Sequence, residues 1–447
     1  MKCWGKWLHQ IKIFFYHLLT CRFTTKMKLY LTIILSFVYF AVFAKTQPDT
    51  AILFKPDRVF DGESTHPGWW VLVKGNHIES AGEPSSIIVP KPVKVISLPG
   101  MTLLPGLIEG HSHLLLHPYN EVSWNDQVLT ESRAERTSRA VTHAYATLMA
   151  GFTTTRDLGT EGAGYDDVGL KTAIEKGIIP GPRMLVATRA IVATGSYGPK
   201  GLVNEAIVPK GAEEADGTDA LIKAVRTQIG NGADLVKIYA DYRWGLNDAP
   251  APTFTEDELK LAVQVAASSG RMVVVHAGTD EGMRRAIKAG VKTIEHGDGG
   301  TLETFKLMKE KGVALTPTIA AGEAITSYKG WRKGIDADPP RVAQKHKSFT
   351  AALQSGVTIC FGGDVGVFPH GDNARELVLM VEYGMKPIDV LRSATSVNAN
   401  VFGLTELGNI KSGYLADIVA VKGDPSLDIK LMKNVSLVMK DGTIVKR

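Results

Sequence analysis

The sequence predicts an α/β fold, a (β/α)8 TIM barrel with a small discontinuous β-sandwich formed by both ends of the chain. Three observations carry this. Between residues 103 and 404, eight short strand-like runs alternate with helix-like runs. On either side the pattern changes to short strands separated by Gly, Pro and Asp-Gly turns. The length of 447 residues, with 44% apolar and 22% charged side chains, exceeds one ordinary domain and suits a large barrel plus an accessory one. No solenoid-type repeat or long low-complexity tract interrupts it.

Residues 1–44 form the first segment and are expected to be an export leader. Met27-Lys28 is followed by an apolar run over 29–44 that ends Val42-Phe43-Ala44, a small-residue pattern suited to signal cleavage. The run is shorter than the roughly 20 residues a spanning helix needs. A cleaved signal peptide is therefore expected, with a retained anchor as the alternative, and a periplasmic or extracellular location follows. Met27 begins a complete signal by itself, so residues 1–26 are read as an upstream mis-start.

The leader also explains the charge. The formal net charge is +5, but Lys2, Lys6, Lys12, Arg22, Lys26 and Lys28 precede position 45 with no acid among them. Without these six the remainder carries 45 basic and 46 acidic residues. A near-neutral body offers no electrostatic footprint for nucleic acid. Cys3 and Cys21 lie in the leader, which leaves Cys360 alone and excludes an intrachain disulfide in the cleaved chain.

Residues 45–102 are the first part of the β-sandwich, with strands expected at 51–54, 70–73, 77–78 and 93–96. Residues 405–447 are the second part, with strands at 417–421 and 435–445 folded at Asp441-Gly442, a hairpin signal. In the barrel, over 103–404, strands are expected at 102–109, 152–156, 183–187, 235–239, 272–275, 291–295, 314–317 and 358–361. Helices are expected at 130–150, 218–230, 255–269, 279–289, 302–311 and 340–355. Thr255 three residues before Glu258 matches a capping box, and Gly151, Gly270, Gly290, Gly312 and Gly356 follow helix ends. The long irregular piece over 193–217 follows the third strand and belongs above the mouth of the barrel.

The chemistry of a barrel enzyme sits at the C-terminal ends of its strands. Strand one ends in His111-Ser112-His113, whose i, i+2 spacing turns both imidazoles to one face. Strand five ends in His276, strand six in His296 and strand eight in Asp364, while Lys237 lies within strand four. Four histidines and an aspartate at four strand ends form a metal-ligand set. A buried free ammonium would be repelled by metal cations, and desolvation pushes it toward the neutral amine. Such an amine can take up carbon dioxide, and the resulting N6-carboxylated Lys237 is anionic with two oxygens, able to bridge two metals. His66, His77 and His346 are expected at the surface, and His117 and His370 near the site without an assigned role.

The order HxH, strand-four Lys, strand-five His, strand-six His, strand-eight Asp resembles the amidohydrolase superfamily with a carboxylated-lysine binuclear centre. The phrases Leu104-Pro105-Gly106-Leu107-Ile108-Glu109-Gly110-His111, Ala150-Gly151-Phe152-Thr153-Thr154-Thr155-Arg156-Asp157 and Gly413-Tyr414-Leu415-Ala416-Asp417-Ile418-Val419 also resemble it. Within that superfamily the chain is similar to the imidazolonepropionase-related group that contains exported prolidase-like dipeptidases. The pointers are Thr194-Gly195-Ser196-Tyr197-Gly198-Pro199, Ala240-Asp241-Tyr242-Arg243-Trp244-Gly245 and His143. The resemblance spans residues 50–447. It implies that His111, His113 and Asp364 bind one metal, that His276 and His296 bind a second, and that Lys237 bridges them.

Zinc is the expected metal for this donor set, with manganese and cobalt as alternatives. Two such ions hold and acidify a bridging water whose hydroxide attacks the substrate carbonyl. Asp364, the one carboxylate in the set, is the candidate to take the hydroxide proton and pass it to the leaving amine. Similarity to the dipeptidases suggests that His143 and Tyr239 contact the substrate carbonyl or its C-terminal carboxylate. Arg243 and Tyr197, in loops over the mouth, are candidates to bind a carboxylate or cap the pocket. The expected substrate is a small dipeptide of Xaa-Pro or related type, with a cyclic amide, lactam or N-acyl amino acid as the alternative. A catalytically inactive binding protein is a third reading, opposed by the intact ligand set. The oligomeric state is open, with a homo-oligomer admitted.

Overall fold

The computed structural model describes residues 51–203 and 205–447. The segment expected to be a leader, with Cys3 and Cys21, lies outside the described residues. Among the described residues no helix is long and apolar enough to cross a membrane.

Both ends of the described chain meet in one eight-stranded sheet. Its path runs Thr443–Lys446, Val435–Lys440, Ile418–Lys422, Val93–Pro105, Ala51–Phe60, Trp70–Lys74, His77–Gly82, with the short strand Thr65–Pro67 beside Ala51–Phe60. The far strand His77–Gly82 also bonds the segment leading into Ile418–Lys422, through Ile78 N to Tyr414 O at 2.8 Å and Ala416 N to Asn76 O at 2.8 Å. The sheet is thus one rolled ladder, and the two layers expected of a sandwich are its own halves. Alternation along Ile418–Lys422 serves two cores. Ile418 and Ala420 join the interior of the roll with Phe54, Val73 and Leu437, while Val419 and Val421 join the main core. The hairpin turns at Asp441 (φ 48°) and Gly442 (φ 73°), the geometry expected of Asp-Gly.

The remainder is mixed α/β with parallel sheets. Leu107–Ser112, Phe152–Asp157 and Arg183–Val186 form a three-stranded arc. Val236–Tyr239, Val273–Ala277, Thr293–His296 and Ala314–Thr316 form the main run of a six-stranded one. Asp234 N donates to Val186 O at 2.8 Å, linking one arc to the next. Both faces of these strands are covered, so they read as apolar runs such as Val273-Val274-Val275. Helices Arg133–Met149, Gly217–Gly230, Glu256–Ala267, Asp280–Ala289, Leu302–Lys311 and Pro340–Ser355 intervene. The Thr255–Glu258 capping box is formed in full.

Two strands differ from expectation. The run over 102–109 is two strands, because residues up to Pro105 belong to the rolled sheet. Gly106 N turns to Asp417 O at 2.7 Å, and Leu107 starts afresh against Gly151. The run over 358–361 is not a strand but a single parallel bridge, Ile359 to Leu315. The Asn398 side chain diverts Phe361 N (3.1 Å) from the ladder and shares Phe361 O (2.8 Å) with strand one, and Asp364 adopts φ 62°. The run's position between Ala314–Thr316 and Leu107–Ser112 is still as expected: Cys360 N donates to Leu315 O at 2.8 Å and Gly110 N to Phe361 O at 3.2 Å.

Candidate metal centre

Strand one and the 359–364 segment approach unusually closely. A Cβ on Gly110 would sit 2.3 Å from Phe361 O, and one on Gly362 would sit 2.8 Å from His111 N. Only glycine permits this contact at both positions. It places Asp364 against the HxH pair, with Asp364 Oδ1 3.5 Å from His111 Nε2 and 3.3 Å from His113 Nε2. One donor atom from each of His111, His113 and Asp364 falls within 4.8 Å of the others.

The second pair stands beside the first. The His296 ring lies 5.2 Å from His111 and 4.3 Å from His276 between centroids. Strand parity would point the consecutive residues Glu295 and His296 to opposite faces. Both nevertheless reach the site, because His296, the last residue of its strand, turns at φ 76°. A histidine held in the left-handed region is strained, and such strain gathers at functional sites. Thr318 Oγ1, itself at φ 50°, meets His296 Nδ1 at 2.7 Å. Lys345 donates to His296 O at 2.7 Å and Ser348 to Gly297 O at 2.5 Å, so helix Pro340–Ser355 holds the turned backbone.

Five of the six expected ligands, His111, His113, His276, His296 and Asp364, line one cleft of about 180 Å³. Lys237 is not among its lining side chains. It is 1% exposed, and among the described residues no carboxylate oxygen lies within 4.0 Å of its Nζ. Burial pulls its pKa down to about 8, against the attraction of Glu295 and Asp364. Its charge in turn helps burial depress His111 to about 4 and His276 to about 3, and burial, with the neighbouring His276, His111 and Lys237 charges, holds His296 well below its ordinary value. Burial also works against a charged His113, but the Asp364 carboxylate, with Glu161 and Asp157 adding, lifts His113 to about 9. Asp364 settles at about 2 despite burial, held there by the two imidazoles. The donor set fits divalent ions: His111, His276 and His296 are held neutral, Asp364 is ionised, His113 would give up its proton on binding a metal, and Lys237 is a buried amine without an ion-pair partner among the described residues.

Of the four residues expected to contact substrate, Tyr197, Tyr239 and Arg243 line the cleft. Tyr239 stacks on His276 at 4.7 Å and 11°. His143 does not line it. Its Nδ1 meets Leu114 O at 2.8 Å and its ring stacks on His370, so it braces the segment that follows His113. His117 is buried between Glu121 and Glu131, and the 193–217 segment brings Tyr197, Gly198 and Lys200 to a wider outer cleft of about 910 Å³.

Sequence reasoning missed several residues. Glu295 accepts from His111 Nδ1 at 2.9 Å and from Arg156 at 2.8 Å, fixing the His111 ring. Glu161 accepts from Trp124 Nε1 (2.9 Å), Tyr197 OH (2.5 Å) and Tyr239 OH (3.2 Å). Arg341 and Asp298 also line the cleft. Glu161 lies just past strand two, where the strand-end rule could have found it. Glu295, an acid inside a buried strand, signals a partner by its burial alone.

The Amidohydrolase family model matches residues 102–445. Ochratoxinase of Aspergillus niger is 32% identical over 374 residues, covering 77% of this chain and 75% of that one. The solved structure of a Xaa-Pro dipeptidase with methionine bound in its active site is 34% identical, with TM-score 0.78, over 89% of this chain and 100% of that one. A prolidase complexed with N-methylphosphonate-L-proline is 27% identical, with TM-score 0.77, over the same shares.

Proposed function

The chain belongs to the amidohydrolase family and is a hydrolase acting on amide bonds, and from that premise we propose that it is a binuclear metal-dependent dipeptidase of Xaa-Pro or related substrates. The observation that carries the reading is the convergence of His111, His113 and Asp364 beside His276 and His296, with Lys237 fully buried in strand Val236–Tyr239 and lacking an ion-pair partner among the described residues. His111, His113 and Asp364 would hold one ion, and His276 and His296 the other. Lys237 would bridge them after its neutral amine forms an N–C bond to carbon dioxide and releases one proton. Zinc, or manganese or cobalt in its place, would supply a more acidic water and a polarised carbonyl.

The protein's own groups do the rest. Both imidazoles approach Asp364 through Oδ1, which leaves Oδ2 to take a proton from the attacking water and deliver it to the leaving nitrogen. That delivery matters because an amide anion is a poor leaving group. Arg243 and Arg341 line the cleft without an ion pair among the described residues, and they suit a C-terminal carboxylate. The Xaa-Pro dipeptidase and prolidase neighbours support the substrate class. Export is proposed from the leader over residues 1–44.

The wide outer cleft supports a second reading, hydrolysis of an N-acyl amino acid or cyclic amide by the same residues. A dipeptide library assayed with zinc-loaded, bicarbonate-treated protein decides between them. Turnover of Xaa-Pro dipeptides is expected. Turnover of N-acyl amino acids or lactams with every dipeptide inert would sink the first reading.

A further inference from the structure

The cleft is lined by four carboxylates, Glu161, Asp298, Glu323 and Asp364. Asp298 is paired with Lys345, Glu323 with Lys333 at 2.9 Å, and Asp364 with the two histidines. Glu161 differs. It is 2% exposed, yet among the described residues no cationic nitrogen lies within 4.0 Å of its carboxylate. Arg136, whose field it feels, donates instead to three backbone carbonyls, those of Leu115, Thr160 and Glu161. Those bonds help fix the Glu161 backbone, which sits at φ 48°. A buried carboxylate satisfied only by neutral donors is costly to keep, and a cation brought by a ligand relieves that cost.

The hydrogen-bond directions sharpen the point. An ionised carboxylate only accepts, so Tyr197 and Tyr239 must spend their hydroxyl protons on Glu161. The phenol oxygens are then left as acceptors. A substrate carboxylate placed here would meet a like charge and no free donor. An ammonium group, with three N–H donors, would meet a carboxylate and two phenol oxygens. Glu161 also stands next to the metal-side histidine: a Cβ on Gly159 would lie 3.3 Å from Glu161 Oε1 and 3.7 Å from His113 Cε1. The outer cleft carries Arg243 and Arg341 but not Glu161, so the unpaired anion is deep and the unpaired cations extend to the mouth.

We propose that Glu161, with the Tyr197 and Tyr239 hydroxyls, anchors a free ammonium group of the substrate, so that the amide cleaved belongs to a molecule with an unblocked amine. This rests on the reading of the cleft as the site of amide hydrolysis. It also moves Tyr197 and Tyr239 from carboxylate contacts to the amine side.

Binding to the metal-loaded protein tests it without requiring turnover. L-Alaninamide and isobutyramide differ by an ammonium in place of a methyl, and calorimetry compares them. The expected result is at least about tenfold tighter binding of L-alaninamide, the range of a charge-assisted hydrogen bond. In Glu161→Gln the two ligands are expected to bind within about threefold of each other. Equal affinities in the unmodified protein, or no binding of either up to solubility, would overturn the proposal, and this comparison stands even if the variant does not fold. A dipeptide library in which nothing turns over, with the alaninamide preference intact, would count against the dipeptidase reading alone.

Discussion

Glu295 Oε2 lies 2.9 Å from His111 Nδ1, in a site where both side chains are fully buried. The carboxylate accepts the Nδ1 proton, so the Nε2 lone pair is the one turned to Asp364. The other Glu295 oxygen is held by Arg156 at 2.8 Å. Glu295→Gln removes the charge that fixes this tautomer. Metal affinity is expected to fall about 10–100-fold, as for other partners of metal-binding histidines. Competition against a chelator measures it, and unchanged affinity would refute the assignment.

Lys237→Ala removes the one proposed ligand that is not a histidine or an acid. The expected outcome is loss of activity and a fall from about two ions per chain to one or none, with circular dichroism unchanged. Full occupancy by two ions in that variant would rule out the bridging role.

Arg341 sits at the cleft without an ion pair among the described residues, so its effect is expected in substrate binding. Arg341→Met is predicted to raise KM for a dipeptide about tenfold while kcat stays within about threefold. The C-terminal amide of the same dipeptide is expected to be indifferent to the change. An equal loss for the amide would show that Arg341 does not read the carboxylate.

Cys360 is fully buried, and burial pushes its thiol up to about 12. The folded thiol keeps its proton where the unfolded one loses it, between about 9 and 12. Its contribution to stability is therefore complete below about pH 9 and is lost as pH rises toward 12. Cys360→Ala is expected to narrow its stability deficit relative to the parent over that window, by up to about 1.4 kcal/mol per pH unit. Native alkylation at Cys360, followed by peptide mapping, is expected to be negligible until the protein unfolds.

The parallel architecture was legible because strand-end chemistry and helix punctuation repeat along the chain. His111, His113, His276, His296 and Asp364 could be picked out because barrel strands deliver side chains at one end, and the structure brings these five to one cleft. The rest depended on contacts that sequence order hides. Glu295 and Arg156 meet across strands two and six, and Glu161 collects donors from Trp124, Tyr197 and Tyr239. His143 has the composition of a site residue, yet its ring is drawn behind the site by a backbone carbonyl. The 358–361 run has strand propensity, but the distant Asn398 side chain takes the Phe361 N–H that a ladder would use. Propensity is a local quantity and could not foresee that competition.

The rolled sheet places a condition on biosynthesis. Val93–Pro105 pairs with its near neighbour Ala51–Phe60 and, over Met101 to Pro105, with Ile418–Lys422 from the far end of the chain. On the ribosome that second edge stays unpaired until almost the last residue has been made. An unpaired edge of this kind invites pairing with another nascent chain, and pairing between such distant segments is slow. Chains cut short before Ile418 should therefore be recovered as aggregate rather than as a smaller folded protein, and yield in the cell should depend on how long chaperones shield that edge.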